Sequence, residues 1–456
     1  MIAILPQAWG DELRLTFRLA WPLALAQLSQ SALFTTNILM LGKLGTPFLA
    51  AGTLAYSFMM PFFLFGISVV AAVAPLAAQA RGRGRVDRVA DTVTQGLVAS
   101  LLLAVALVCI LLQIGSVFRL IGQDPGLTER AVRYMKVASL MLLPAFWFLV
   151  LRSLMSAYGR TRAVFVITIG GVVLNAFLSN MLIFGAYGAP ALGMEGAAIS
   201  NAASYAFMAI AAAVYIRLDG ELRETVRLRA LSHPNWVELW RIFRFGVPFG
   251  LILFAELIVF SGAALVMSYI GQEEVAAHAI AMQMGGLTYT VPLGIGAAAT
   301  VRVGMAYGRR DELAIQAAGW VSIALGGAFM LVAGIVFVVF GRDVIAIFLD
   351  PSAPGGHRTF ELAVGYLAIA GLYQLADGAQ VNAAHALRGL NDTIVPMLIA
   401  FGGYWLVSAP LGIYLALGTG LGGVGIWIGL AVGLVVVAIS LVTRFALRKQ
   451  LRIVAF

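Results

Sequence analysis

Two carboxylates are embedded in apolar sequence: Glu256 lies within the run 243–270 and Asp377 within the run 362–387. Each has roughly ten or more mostly uncharged residues on either side. At a helical rise of about 1.5 Å, that places both near the centre of a bilayer. A carboxylate at that depth costs kilocalories to desolvate, so it faces a bundle interior or a wet cavity. Such a pair points to cation handling. Around Asp377, the residues Tyr366, Tyr373, Asp377 and Gln380 recur at spacings of seven, four and three. Phenol, carboxylate and amide therefore share one helical face, an oxygen-rich lining suited to a hard cation or a proton. A buried ion pair would be the structural alternative. It lacks a partner in the sequence, because Arg302 and Arg388 fall near the cytoplasmic helix ends and Arg152 belongs with the cytoplasmic set. His278 and His385 have the chemistry of proton relays, but their places near helix ends favour hydrogen-bonded packing.

These carboxylates need helices to carry them across a membrane, and the composition supplies them. The 456 residues are 61% hydrophobic and 11% charged, with a mean hydropathy of +0.95. Soluble domains carry about 25% charged residues. The chain is therefore read as a polytopic membrane protein. Twelve spans are expected, at 15–42, 48–79, 91–118, 131–157, 162–186, 193–216, 241–270, 275–307, 313–340, 361–388, 393–417 and 422–446. Met1–Asp11 is too short and too mixed for a secretory signal peptide. The single cysteine, Cys109, lies in an apolar run and reads as a small hydrophobe.

The net charge of +9 sorts by side of the membrane. With the N-terminus cytoplasmic, 23 of the 30 basic residues fall on that side and 7 on the other. This is the positive-inside pattern, with both termini in the cytoplasm. No basic patch is interleaved with base-stacking aromatics, so nucleic acid is excluded as a partner. An enzyme would need a catalytic or metal-binding constellation. The four histidines form no HExxH motif, and His233 and His357 fall in loops on opposite sides. Membrane lipids are the expected surroundings and a monomer the expected state.

A shift of 226 residues superposes Pro22 on Pro248, Gly45 on Gly271, Ala50-Ala51 on Ala276-Ala277 and Gly82 on Gly308. Leu192 to Gly196 matches Leu421 to Gly425 at a slightly different offset. Six spans per half, an even number, make the repeats parallel. The expected fold is thus all-α and integral to the membrane, with twelve transmembrane helices in two parallel six-helix repeats around a central cleft. The N-terminal lobe would cover 1–216, a cytoplasmic linker 217–240 and the C-terminal lobe 241–456. Two such lobes can alternate access to a midplane site.

Several segments carry a resemblance. Pro248-Phe249-Gly250-Leu251 through Glu256, Ala276-Ala277-His278-Ala279-Ile280-Ala281 and Val301-Arg302-Val303-Gly304 are similar to the seventh and eighth helices of multidrug and toxic-compound extrusion (MATE) transporters. Asp377-Gly378-Ala379-Gln380, then Ala386-Leu387-Arg388-Gly389-Leu390-Asn391-Asp392-Thr393 and Pro396-Met397, resemble that family's tenth helix and following loop. Gly42-Lys43-Leu44-Gly45 and Pro75-Leu76-Ala77-Ala78-Gln79-Ala80-Arg81-Gly82 resemble its opening segments. The resemblance runs through nearly the whole chain.

It implies a secondary active exporter of amphipathic organic cations, driven by inward Na+ or H+ and needing no cofactor beyond that coupling ion. The implied location is a bacterial cytoplasmic membrane. In the NorM-type branch the coupling cation is associated with acidic residues of the second lobe. Those correspond here to Glu256 and Asp377, with Tyr373 beside them, and both acids would be metal ligands if the ion is Na+. The chain departs from the pattern in its first lobe. Asn37 stands where an aspartate is common, and Asn175 is followed at four residues by Ser179. Gln30 occupies the position equivalent to Glu256 under the 226-residue shift. An amide cannot titrate, which leaves coupling to the second lobe. Gln30, Asn37, Asn175, Ser179, Gln283, Tyr289 and Gln380 are candidate substrate-lining residues, with Met59, Met60, Met282, Met284, Phe62 and Phe63 as adaptable apolar walls. A flippase for lipid-linked saccharides is the alternative. It would need a more basic cavity than these spans provide.

Overall fold

The computed structural model describes residues 6–120, 124–226, 234–349, 356–454 and 456. The described residues are helical throughout, without strands. The first half contains α1 (Pro6–Leu44), α2 (Thr46–Val70), α3 (Val73–Gly82), α4 (Val86–Leu112) and α5 (Ile114–Leu120). It continues through α6 (Pro125–Ala138), α7 (Leu142–Ala157), α8 (Thr161–Phe184) and α9 (Met194–Leu218). The second half opens with α10 (Trp236–Ile270), α11 (Gln272–Arg309), α12 (Glu312–Val339) and α13 (Gly341–Ala346). There follow α14 (Gly356–Gly389), α15 (Ile394–Phe401), α16 (Ala409–Ile413) and α17 (Gly423–Ala446). Two π-helical stretches, Gly402–Ser408 and Tyr414–Gly418, flank α16.

Ten of the described helices, counting those broken by a short irregularity as one, are long and apolar enough to cross a membrane. With α1 at 39 residues and α11 at 38, the long helices number the twelve expected. The polar start of α11, Gln272-Glu273-Glu274 with His278, lowers its hydropathy. Exposed apolar side chains line α4 (Leu101, Leu102, Val105) and α12 (Val332, Ile335, Val339). A soluble surface does not carry such continuous bands, whereas a lipid-facing one must. Cys109 is exposed on α4, as a lipid-facing hydrophobe would be.

The chain forms two compact units. One comprises Leu25–Gly250; the other joins the residues up to Ala24 to Leu251–Phe456. The chain therefore changes unit twice, and the two switch points, after Ala24 and after Gly250, are themselves 226 residues apart. Each lies two residues beyond an in-helix proline, Pro22 in α1 and Pro248 in α10. Proline removes a helical hydrogen bond and bends the helix, which allows the two halves of one helix to pack against different neighbours. Close approach confirms both changes. A Cβ on Gly294 would strike the Ala24 backbone, and one on Gly246 the Val69 carbonyl oxygen. Of the connector between the halves, residues 227–233, His233 included, lie outside the described residues; α10 starts at Trp236.

Ion pairs secure the helix ends. Within the second-half unit, Arg302 donates from Nε to Glu12 Oε1 at 2.8 Å and from Nη2 to Glu12 Oε2, and Thr16 donates to the same carboxylate at 3.2 Å. Arg444 clasps Asp392 at 2.7 and 3.1 Å, and Arg448 bonds Glu312 at 2.6 Å. In the first-half unit Arg160 bonds Asp219 at 2.9 Å and Glu221 at 3.3 Å. The Arg160 guanidinium holds the Asp219 carboxyl below the usual carboxylate range. A depressed folded pKa contributes stability that is present above the ordinary carboxylate value and is lost as the pH falls through the folded one.

Two predictions follow from these pairs. R302L leaves the Glu12 carboxylate enclosed without its partner, a loss on the order of 3–5 kcal/mol for a buried pair. It should lower the thermal midpoint of the detergent-solubilised protein clearly, and the double variant E12L/R302L should recover most of that loss. An unchanged midpoint in R302L would remove the pair from the account. For Asp219, the midpoint of D219N should change less than that of the wild type on acidification from about pH 5 to about pH 3.

Candidate ion-coupling site

The site gathers on α14, whose position is set by glycine. α14 and α12 approach until a Cβ on Gly378 would lie 2.5 Å from the Gly326 carbonyl oxygen, and one on Gly371 2.7 Å from that of Gly334. Small residues permit this backbone contact in a membrane, where packing rather than hydrophobicity joins helices. Asn382 Nδ2 caps the Gly378 carbonyl at 2.9 Å. The opposite side of α14 then presents Tyr373, Asp377 and Gln380.

Asp377 is 7% exposed and Tyr373 is buried, while Glu256 on α10 is half-buried. Glu256 and Asp377 lie close enough for their charges to act on one another. Tyr373 and, from α11, Tyr289 stand within electrostatic reach of both. Tyr404 completes the group from the π-helical stretch, and Gln380 Nε2 donates to its hydroxyl. A π turn is wider than an α turn and recurs at functional sites; here it carries the phenol that meets Gln380.

Among the described residues Asp377 Oδ1 and Gln380 Oε1 have no hydrogen-bond partner. The ion pairs of this unit use Glu12, Glu273, Glu312, Glu361 and Asp392, and none reaches Glu256 or Asp377. Two carboxylates thus share a low-dielectric pocket of phenols and an amide without a described cationic partner. Like charges so placed cannot both stay anionic cheaply. Among the described residues no three His, Cys, Asp or Glu side chains gather. A bound metal cation would therefore draw two ligands from Glu256 and Asp377 and the rest from phenol, amide or water oxygens.

The other sequence candidates separate from this group. Tyr366, on the same face of α14, donates instead to Glu274 Oε2 and stacks on Trp427 at 5.6 Å between ring centroids. His278 packs edge-on against Trp427, and His385 Nδ1 lies 3.0 Å from the Thr300 hydroxyl, which donates to the His385 carbonyl oxygen at 3.0 Å. Among the described residues His278 Nδ1 has no hydrogen-bond partner, unlike the hydrogen-bonded packing expected from the sequence. Gln283 is exposed on α11. Met59, Phe63 and Met284 are core side chains.

In the first-half unit Asn37 and Ser179 join one network with Asn175. Asn37 Nδ2 donates to Asn201 Oδ1 at 2.8 Å, Asn175 Nδ2 to the same atom at 3.2 Å, and Ser179 Oγ to Asn37 Oδ1 at 3.0 Å. All four side chains are buried, so this is interhelical hydrogen bonding among neutral groups. Gln30 lies apart and accepts from Arg152 Nη1 at 3.2 Å. Arg152 is thereby corrected from a helix-end residue to a buried one whose side chain reaches the position equivalent to Glu256. Tyr404 is not among the residues the sequence singles out, and Arg152 is placed by it in the cytoplasmic set. A lone tyrosine in an apolar span looks like an interfacial anchor, and an arginine five residues from a helix end looks like a positive-inside residue.

G378A tests the scaffold. Its Cβ would strike the Gly326 backbone as well as Met330 Cγ, and backbone cannot swing aside, so α14 must move and the protein should lose about 1–3 kcal/mol, read as a lowered thermal midpoint. No change in the midpoint would show that α12 yields freely.

With this geometry in view, the chain's likeness to known proteins is informative. The MatE family model matches residues 22–181 and 248–414, two segments whose starts are 226 residues apart. The "Probable multidrug resistance protein NorM" of Brucella suis biovar 1 is 39% identical over 439 residues, 96% of this chain and 93% of that protein. The "Multidrug resistance protein NorM" of Burkholderia vietnamiensis is 34% identical, covering 96% of this chain and 95% of that protein. Among solved structures, the eukaryotic MATE transporter AtDTX14 superposes with a TM-score of 0.87 at 22% identity, covering 98% of this chain and 99% of that one. The fold is therefore the two-repeat membrane fold expected from the sequence.

Proposed function

The chain belongs to the MatE family, and from that premise we propose that it is a secondary active multidrug efflux antiporter. It exports amphipathic organic cations in exchange for inward Na+ or H+, by alternating access, from a bacterial inner membrane with both termini cytoplasmic. The observation that carries this reading is the partnerless acid pair. Its relatives are named for multidrug resistance, which supports the direction and the substrate class.

In the proposed cycle, a cation from outside occupies or protonates Glu256 and Asp377. Neutralised, the pair no longer attracts a positively charged drug, which leaves. After the protein opens inward, the coupling ion dissociates and the exposed carboxylates draw in the next lipophilic cation. Tyr373, Tyr289 and Tyr404 supply hydroxyls that can donate to a carboxylate or accept from a protonated one. Gln380 holds Tyr404 in place. Ion and drug compete for one negative charge, so each lowers the affinity of the other by the same factor.

The test uses purified protein in liposomes with an internal cationic dye, under an imposed Na+ gradient in one arm and a pH gradient in the other. D377N should reduce gradient-driven transport to background with insertion and thermal midpoint retained, and E256Q should reduce it at least about tenfold, the scale of one lost charge interaction. The arm that drives the wild-type protein identifies the ion. Wild-type rates in D377N would discard the assignment.

A further inference from the structure

The first-half unit holds a charge that the antiport cycle does not use. Arg152 is 8% exposed, on α7, and its described hydrogen-bond partner is neutral: the Gln30 side-chain oxygen at 3.2 Å. Among the described residues no carboxylate forms an ion pair with it. Tyr205, buried on α9, is within electrostatic reach of Arg152, and Tyr56 on α2 is within reach of Tyr205. The Tyr205 ring is held edge-on by Phe63 at 6.0 Å.

The arrangement mirrors the acid pair with its polarity reversed. Arg152 belongs to the fourth span of its half and Gln30 to the first, as Asp377 and Glu256 do in theirs. Where the second half places two acids among phenols and an amide, the first places a guanidinium among phenols and an amide. A guanidinium has five donors and stays charged, and one amide oxygen offsets little of its desolvation. Tyr205 and the Gln30 amide nitrogen add further donors, and donors grouped around a guanidinium are complementary to an oxyanion. Gln30 and Tyr56 are both half-buried, so the group is not sealed from the unit's surface.

We infer that Arg152, with Gln30 and Tyr205, forms an anion-accepting subsite that binds the carboxylate of an amphipathic substrate. The inference rests on the efflux reading only for the drug-like nature of the ligand. The ligands of this unit then include amphipathic molecules that carry a carboxylate. Arg152 is a binding residue here and takes no part in coupling.

The test needs no gradient, so its failure is separable from failure of the antiport assignment. Equilibrium binding of two dyes to the detergent-purified full-length chain is measured by fluorescence anisotropy. The dyes are rhodamine 110, with a free carboxylate, and rhodamine 123, its methyl ester. R152Q should weaken rhodamine 110 about tenfold or more and rhodamine 123 less than about threefold, the difference being one charge-assisted contact. R152K should keep rhodamine 110 within about threefold of the wild type. Y205F, which keeps the ring on Phe63, should weaken rhodamine 110 alone by a few-fold, and it carries the test if R152Q does not fold. Equal losses for both dyes, no loss for either, or no binding of rhodamine 110 to the wild-type chain would each overturn the inference.

Discussion

An ionised group in a low-dielectric interior must be paired, neutralised or wetted, and that requirement governs the arrangement of charge in this protein. Where the chain can satisfy it permanently, it does. Glu12, Asp392 and Glu312 each meet an arginine with short, in part bidentate bonds. These pairs lock helix ends that are distant in sequence. Glu256 and Asp377 carry the same functional group in the same unit and have no such arginine among the described residues. The difference between a strut and a binding site is therefore the partner, not the residue type.

The scaffold around the acids follows from that difference. A pocket that keeps two carboxylates away from any fixed cation must hold its oxygens in place by other means. The α12–α14 glycine contact fixes the backbone, with Gly326 and Gly334 facing Gly378 and Gly371. Gln380 anchors Tyr404 and leaves its own Oε1 free, while Asp377 keeps Oδ1 unbonded among the described residues. Unsatisfied polar atoms in a membrane interior are costly, and two converging on one place mark where an external partner would be accommodated.

The sequence made the spans, the repeat and the acid pair legible because each rests on local or periodic information. Hydropathy over about twenty residues identifies a crossing helix without knowledge of its neighbours. The 226-residue shift relates Pro22 to Pro248, and the structure changes packing unit two residues after each of them. What remained hidden depends on tertiary choice. Arg302 finds Glu12 290 residues away, and Arg152 finds Gln30 at a separation of 122. Span counting placed both arginines by their distance to a helix end. A side chain of that length can snorkel outward or turn inward, and only the packing decides which. Tyr366 shares a helical face with Asp377, yet it is committed to Glu274 at the far end of α14. A shared face does not imply a shared site at a separation of eleven residues, about 16 Å of helix.

The duplicated halves have diverged in charge while keeping their geometry. In the first-half unit, Asn37, Asn175, Ser179 and Asn201 form a neutral network that cannot change its protonation near physiological pH, and Arg152 holds its charge throughout. Among the described residues, only the second-half unit presents a pair of acids without a cationic partner. If both halves carried titrating acids, neutralising one pair would leave the other attracting the substrate, and ion and drug would no longer exclude each other. In the proposed cycle, confining the variable charge to one repeat makes a single neutralisation sufficient for release. A fixed positive charge at the equivalent place in the other repeat is compatible with that economy, because it stays constant through the cycle and selects among substrates without competing for the coupling ion.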